Sequence, residues 1–181
     1  MNFCWECGST LTIIKDKPYH YTECGLENVY LHGIIQYECS ACGETGAEIP
    51  RIKELHLMIG KYIVCQEESL TGAEIRFLRK ELGLKARDMA EYLSVTPQAY
   101  SKWENSHNRI SPVYDKQLRL LYVLNAEEKF GRVLHEGIRF LQRLKLSQTA
   151  SSDSTAEHRL EIAAHEWLMP ITEPLFSETC L

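Results

Sequence analysis

The sequence predicts an α+β protein, in which a small β-rich N-terminal domain precedes a mostly α-helical domain and a helical C-terminal extension. Three observations predict this order. Two Cys-x-x-Cys pairs open the chain, with 31 residues between them. The segment between the pairs is rich in aromatic and β-branched residues, which favour strands. After Pro50 the apolar residues recur at helical spacing instead. At 181 residues, the chain is long enough for one or two small domains.

The cysteine pairs predict a metal site in a domain covering residues 1–50. Four thiolates in two such pairs suit one tetrahedral metal ion, most often zinc. Gly8 and Gly43 follow the second cysteine of each pair and permit the tight turn beyond it. We expect one structural Zn²⁺ per chain, since so small a domain buries little apolar surface without a metal. The predicted ligands are Cys4, Cys7, Cys39 and Cys42.

The other cysteines and the hydropathy indicate a cytoplasmic protein. Seven cysteines with four in metal spacing fit a reducing compartment better than a disulfide scaffold. Cys24, Cys65 and Cys180 are interpreted as small buried or surface residues, with a redox role for Cys24 as the alternative. No run of about 18 apolar residues predicts a membrane span, and the first residues do not resemble a signal peptide.

The first helices connect the metal domain to a second domain. Arg51–Val64 is predicted to be helical within a connecting segment, 51–70. The second domain, 71–124, opens with Thr71 as an N-cap and Glu74 as its capping-box partner. Gly83 ends that helix.

A helix-turn-helix is predicted inside residues 71–124. Ala86–Leu93 forms the first helix, and a tight turn at Ser94–Val95 leads to Thr96, which caps a helix running to about Asn105. A second helix placed in this way enters the major groove of DNA. The predicted base contacts are Gln98 and Lys102, which lie four residues apart on one helix face. The predicted phosphate contacts are Arg87, Thr96, Ser101, Asn105 and Arg109.

Two residues of the second helix are predicted to be structural. Trp103 is expected to anchor the core. Glu104 is expected to hydrogen-bond a nearby backbone group or arginine.

The C-terminal extension, 125–181, is predicted to be helical. Pro112 opens a helix, and a longer one is expected from Ala126 to Leu146. A polar linker, 147–155, separates these from a last helix, Ala156–Leu168. The apolar faces of the two later helices are equally suited to dimerisation and to packing within the chain.

The charge is distributed unevenly. The net charge is −5, with 5 basic and 10 acidic side chains in residues 1–71, and 6 and 9 in residues 125–181. Residues 72–124 carry 9 basic and 6 acidic side chains. Only this middle segment favours phosphate by its charge.

The segment from Thr71 to Ser106 resembles a Cro/repressor-like (XRE) helix-turn-helix, in its Leu-x-x-x-Met-Ala-x-x-Leu-x-Val and Ser-Lys-Trp-Glu-Asn positions. Together with the cysteine pairs and TGAEIRFLRK, residues 3–124 resemble the MqsA/YgiT-type zinc-finger antitoxin family. The resemblance implies an antitoxin that represses its own operon. Its zinc domain would bind a protein toxin, and its other domain would dimerise on a palindromic operator.

The chain departs from that family in three respects. The family reads bases with asparagine and arginine where this chain has Gln98 and Lys102, so a different operator is expected. Ser106 replaces the glycine usual after Trp-Glu-Asn. Residues 125–181 have no counterpart to which a function can be assigned.

The sequence therefore predicts a zinc-containing, sequence-specific DNA-binding repressor that binds double-stranded DNA as a homodimer. The alternatives are a stand-alone regulator without a toxin and a pure protein-interaction module. An enzyme is not expected. A thioredoxin-like dithiol needs one Cys-x-x-Cys pair in a βαβ context, and neither a catalytic Ser/His/Asp order nor a phosphate loop is found.

Overall fold

The computed structural model describes residues 3–129 and 159–169. They form two compact units. The cysteine unit comprises residues 3–55 and 159–169, and the helical unit comprises residues 56–129. The expected mixed α+β class is confirmed. None of the helices in the described part of the chain is long and apolar enough to cross a membrane.

The cysteine unit contains two three-stranded sheets. The first has the order β1-β4-β5 and is antiparallel throughout. The second has the order β2-β3-β6, with β2 antiparallel and β6 parallel to β3. The strands are β1 (Leu11–Ile14), β2 (Tyr19–His20), β3 (Val29–His32), β4 (Ile35–Cys39), β5 (Thr45–Glu48) and β6 (Leu160–Ala163).

Strand β6 corrects one sequence prediction. The last helix was expected from Ala156 to Leu168, but Leu160–Ala163 pairs with β3 and only Ala164–Leu168 is helical. The reason is tertiary. Ile162 pairs with Leu31 and both are fully buried, so the segment gains more by completing a sheet than by remaining helical. Residues 156–158 lie outside the described residues.

The core of the cysteine unit joins its two chain segments. Val29 and Leu31 of β3 are fully buried, as are Ile162 and Trp167. The indole Nε1–H of Trp167 donates to the Pro50 carbonyl at 3.1 Å, so its one polar group is satisfied within the core.

The first complete helix of the helical unit begins with the predicted cap. Thr71 accepts from the Glu74 backbone N–H at 3.3 Å, and the Glu74 carboxylate accepts from the Thr71 N–H at 2.7 Å, which completes the expected capping box. The helices in the described part of the chain are α1 (Ile52–Cys65), α2 (Gly72–Glu81), α3 (Ala86–Tyr92), α4 (Pro97–Glu104), α5 (Pro112–Lys129) and α6 (Ala164–Leu168). Helix α6 and the first turn of α1 belong to the cysteine unit.

Helix α5 corrects a predicted boundary. The sequence suggested a new helix from Ala126, but α5 runs unbroken from Pro112 to Lys129. The predicted apolar face beyond it, 130–144, and the linker 147–155 lie outside the described residues.

A buried ion pair on α5 closes the end of α1. Asp115 and Arg119 are both fully buried, and Arg119 Nε donates to Asp115 Oδ1 at 2.6 Å. The Arg119 guanidinium also donates to the carbonyls of Ile63 and Val64, each at 3.1 Å. These are helix-terminal carbonyls without an intrahelical partner. The Arg119 side chain therefore holds the C-terminal end of α1 on α5.

Candidate metal centre and nucleic-acid interface

The four predicted cysteine ligands come together in the cysteine unit. Their sulfur atoms all lie within 4.8 Å of one another, which confirms that Cys4, Cys7, Cys39 and Cys42 could hold a metal ion. The Sγ atoms of Cys4 and Cys42 are 3.6 Å apart, and those of Cys7 and Cys39 are 3.4 Å apart. A tetrahedron with Zn–S bonds of about 2.3 Å has S···S edges of about 3.8 Å. The donor set and its spacing therefore fit a tetrahedral metal.

Each cysteine pair lies on a turn that its glycine closes. The Gly8 N–H donates to the Cys4 carbonyl at 2.9 Å, and the Gly43 N–H donates to the Cys39 carbonyl at 2.8 Å. Both glycines have φ above +70°, a region that side chains disfavour. This is the local reason why the sequence pairs each motif with glycine.

Hydrogen bonds shift the pKa values of two of these thiols in opposite directions. Bonds from the Ser9 side chain and backbone lower the pKa of Cys7 to about 6. The Glu44 backbone N–H lowers the pKa of Cys42, but its hydrogen bonds with Cys39 and Cys7 outweigh this and raise the pKa to about 12. Without a cation the cluster therefore retains protons, and a metal must displace them.

Cys24 is separate from this cluster. Its thiol donates to the Tyr21 carbonyl at 3.3 Å, and burial raises its pKa. A buried, protonated thiol of this kind is an unreactive structural residue.

The turn between α3 and α4 has the geometry expected of a helix-turn-helix. Ala90 is buried on α3, and its carbonyl accepts from the Val95 N–H at 2.9 Å. Ser94 adopts φ +55°, which reverses the chain. Thr96 Oγ1 then accepts from the Ala99 N–H at 3.1 Å, as expected of the predicted cap. Pro97 occupies the first turn of α4. Val95 is half-buried.

Helix α4 has one buried and one exposed face. Tyr100 and Trp103 are buried, and their ring centroids lie 6.0 Å apart, edge to face. The expected anchoring role of Trp103 is consistent with this burial. The opposite face exposes Gln98, Ser101 and Lys102. These three side chains are thus held on a rigid element and point away from the core.

The predicted phosphate contacts divide into free and engaged side chains. Arg87 and Arg109 are exposed, at the start of α3 and after α4. Asn105 Nδ2 donates to the Ser101 carbonyl at 2.9 Å and to Ser101 Oγ at 3.2 Å. Its side-chain amide is therefore bonded to the last turn of α4. Thr96 uses its hydroxyl oxygen as the cap described above. The structure leaves a Thr96 and a Ser101 hydroxyl proton available for a ligand.

Two arginines of α2, which the sequence interpretation did not single out, position the end of α4. Arg79 Nε donates to Glu104 Oε1 at 2.6 Å, and Arg79 Nη2 donates to Oε2 at 3.2 Å. Arg76 Nη2 donates to the Glu104 carbonyl at 3.1 Å and to Asn105 Oδ1 at 2.9 Å. The predicted hydrogen-bonding role of Glu104 agrees with these contacts. The sequence shows that α2 contains these arginines, but it does not show which groups they bind.

The start of α2 also lies against the end of α4, at Gly72. A Cβ placed there would approach the carbonyl oxygens of Glu104 and Trp103 to 2.6 Å and 2.8 Å. Glycine therefore allows α2 to begin directly against the end of α4. Ser106, where the resembling family has glycine, adopts φ +58°, so the left-handed turn after α4 is made without glycine.

Comparison with known proteins identifies the same segment. A family model described as Helix-turn-helix matches residues 75–113, which run from within α2 to the start of α5. No curated protein matches the chain significantly, and neither does any solved structure. The matched segment contains the exposed face of α4 and its capped N-terminus. The match supports a DNA-binding transcription regulator.

Proposed function

We propose that this chain is a zinc-containing, sequence-specific DNA-binding repressor that reads its operator with α4. The observation that carries the proposal is the exposed pair Gln98 and Lys102, held on one face of a helix whose other face is buried. An amide suits the N6 and N7 atoms of adenine, and an ammonium suits the O6 and N7 atoms of guanine. These are direct base contacts in the major groove.

Phosphate contacts would fix the helix on the duplex. Arg87 and Arg109 flank α4 in sequence and are exposed. The Thr96 and Ser101 hydroxyls and the N-terminus of α4 add neutral donors, and Asn105 holds the last turn. Residues 72–124 carry 9 basic and 6 acidic side chains, which favours a polyanion over this part of the chain alone.

One such helix reads only a half-site, so we propose that the protein binds a palindromic operator as a homodimer. The dimer would place two copies of α4 about one helical turn of DNA apart. A regulator of this kind acts in the compartment that holds the DNA, which for this chain we propose is the cytoplasm.

DNA binding is tested by fluorescence anisotropy on duplexes covering the DNA upstream of the gene. We expect Gln98→Ala and Lys102→Ala each to weaken binding to the operator by about 1–3 kcal/mol and to relax its base preference. Arg109→Ala should weaken binding to all duplexes similarly and reduce the salt slope by about 1. Lys53→Ala, an exposed lysine of α1, is the matched control. Unchanged operator affinity in both α4 variants would show that α4 is not the reading helix.

We further propose that the metal is one structural Zn²⁺ and that the protein is the antitoxin of a type II toxin–antitoxin pair. The cysteine unit supports a protein-binding role, since its residues 3–55 carry 8 acidic and 4 basic side chains and would repel DNA. Metal analysis should find one zinc per chain with four sulfur ligands. Oxygen ligands in the X-ray absorption spectrum would contradict a closed structural site.

The alternatives are a stand-alone regulator and a pure interaction module. Co-expression with the adjoining gene separates the first from an antitoxin, because only an antitoxin should co-purify with that product and neutralise it. A complete lack of salt-dependent DNA affinity would instead favour the interaction module.

A further inference from the structure

One face of the β1-β4-β5 sheet is apolar yet open to solvent. The register places Ile13 opposite Tyr37 and Tyr37 opposite Gly46, so all three positions share a face. Ile35 lies two residues from Tyr37 on the same strand and therefore on the same face. Ile13 and Ile35 are 53% and 46% exposed. A half-covered antiparallel sheet normally turns polar side chains to solvent, and here two isoleucines are turned outward.

Trp5 completes this face. A Cβ built on Gly46 would lie 2.5 Å from Cη2 of Trp5, so the indole rests on the strand where glycine leaves room. The ring is nevertheless 56% exposed. A large aromatic side chain that is fixed in place and still exposed has the properties of an interface anchor. We call Trp5, Ile13, Ile35 and Tyr37 the apolar sheet face.

The charges around this face favour one kind of occupant. Among the described strand positions on this side, the only charged residue is Glu48, which lies opposite Ile35 and accepts from the Tyr37 hydroxyl at 3.1 Å. Glu6 follows Trp5 directly and is exposed. Lys15, two residues beyond Ile13, is also exposed at the end of β1. Residues 3–55 nevertheless carry 8 acidic and 4 basic side chains, so this part of the chain repels nucleic acid and attracts a basic surface. A protein with an apolar patch and a basic rim is complementary to it.

We propose that the apolar sheet face is the docking surface for a basic protein partner, with Trp5 as its central anchor. The proposal rests on the antitoxin function and deepens it by naming the surface and the chemistry of the partner. It separates two binding activities within one chain, because α4 belongs to the helical unit and the apolar sheet face to the cysteine unit.

The test uses the purified product of the adjoining gene as the probe and the full-length, zinc-loaded chain. Calorimetry should show that Trp5→Ser weakens binding by about 30-fold or more, as expected of an anchor residue. Ile35→Ser should weaken it by about 10-fold. Ile52→Ser is the matched control, because Ile52 is also 46% exposed and lies in the cysteine unit outside the sheet. Zinc content and operator affinity confirm that each variant is folded.

Fluorine NMR of chain labelled with 5-fluorotryptophan gives a second measurement. The protein has three tryptophans, of which Trp103 and Trp167 are buried. We expect the unlabelled partner to shift the Trp5 signal and to leave the other two in place.

Each result decides between the proposals. If the parent and all three serine variants bind the probe equally, the apolar sheet face is not the docking surface, while the antitoxin function stands. If the parent does not bind the probe, both are overturned, and the operator assay alone still tests DNA binding. If sedimentation shows a dimer of the chain alone that Ile35→Ser dissociates, the occupant is a second copy and the basic partner is wrong.

Discussion

Ser94 shows how a single residue sets the helix-turn-helix geometry at a cost. Its φ of +55° places an L-residue in the left-handed region, which costs roughly 1–2 kcal/mol relative to glycine. The turn needs this conformation because only four residues, 93–96, connect α3 to α4, with the Ser94 N–H donating to the Glu91 carbonyl at 2.9 Å. Removing this strain at Ser94, an exposed residue, would therefore stabilise the motif.

We predict that Ser94→Gly raises the free energy of unfolding by about 1 kcal/mol, because glycine removes the left-handed strain and loses part of this gain to chain entropy. Urea denaturation of the full-length protein measures it. Ser101→Gly, inside α4 where φ is helical, should lower the same quantity by about 1 kcal/mol. A destabilised Ser94→Gly protein would mean that the Ser94 side chain contributes more than its backbone strain costs.

The helix caps could be predicted from the sequence, and the partners of Arg79 and Arg119 could not. The caps at Thr71 and Thr96 depend on neighbours within three residues, so their pattern is visible in the chain itself. Arg79 and Arg119 act on partners 25 and more than 50 residues away, and some of those partners are backbone carbonyls that any residue supplies. A sequence carries no signal for such a carbonyl partner.

At the scale of elements, the Asp115–Arg119 pair joins α1 to α5. Asp115 Oδ2 also accepts from the Leu70 N–H at 2.8 Å, and Arg119 Nη1 donates to the Gln66 carbonyl at 2.6 Å. Three backbone groups of the segment between α1 and α2, the Leu70 N–H and the Gln66 and Glu68 carbonyls, are therefore satisfied by two buried side chains. These bonds hold the connection on α5.

We predict that Arg119→Met lowers the free energy of unfolding by about 3–5 kcal/mol, because it leaves a buried carboxylate and several carbonyls without a donor. Thermal and urea unfolding measure the loss. Arg109→Met, at an exposed arginine, should change stability by no more than about 0.5 kcal/mol. Equal stability of the two variants would contradict the role of Arg119 in closing the end of α1.

The four-cysteine cluster is the second case at this scale, since it brings the turn before β1 together with the end of β4 and the turn after it. We predict that Cys39→Ser abolishes stoichiometric zinc binding and unfolds the cysteine unit, because a structural site needs all four ligands. Cys24→Ser should retain the metal, since Cys24 is also buried but lies outside the cluster. Zinc analysis after gel filtration distinguishes the two, and metal loss in Cys24→Ser would contradict the assigned ligand set.

The pH dependence of that site follows from the protons it retains. The raised pKa of Cys42, about 12, means that its proton must leave when a metal binds. Protons therefore compete with the metal, and its affinity should rise with pH and fall as the solution is acidified.

At the scale of the whole molecule, the cysteine unit takes strands from both ends of the described chain. Residues 159–169 supply β6 and α6, while residues 3–55 supply the other five strands. The sequence misled here because a short apolar segment fits a strand or a helix equally well, and its partner strand lies about 130 residues earlier in the chain. Element type could be predicted where the pattern is long, and not where a distant neighbour decides it.

Several further contacts hold residues 159–169 on the rest of the cysteine unit. Arg159 lies over the Tyr30 ring, 3.6 Å from its centroid, and Arg51 Nη1 donates to the Leu168 carbonyl at 2.6 Å. Glu161 pairs with His32. Most of the stabilisation, however, must come from the fully buried Ile162 and Trp167, since exposed ion pairs contribute little.

We therefore predict that Trp167→Ala lowers the stability of the cysteine unit by about 3–5 kcal/mol, because it leaves a cavity and removes the bond to the Pro50 carbonyl. Hydrogen exchange of the β3 amides should accelerate, while operator affinity per folded helical unit should stay unchanged, because α4 and its supports lie in residues 56–129. Met169→Ala, at a residue 66% exposed, is the control and should leave exchange unaffected. If the β3 amides of Trp167→Ala remain as protected as in the parent, the C-terminal segment is an accessory to the cysteine unit and does not form part of its core.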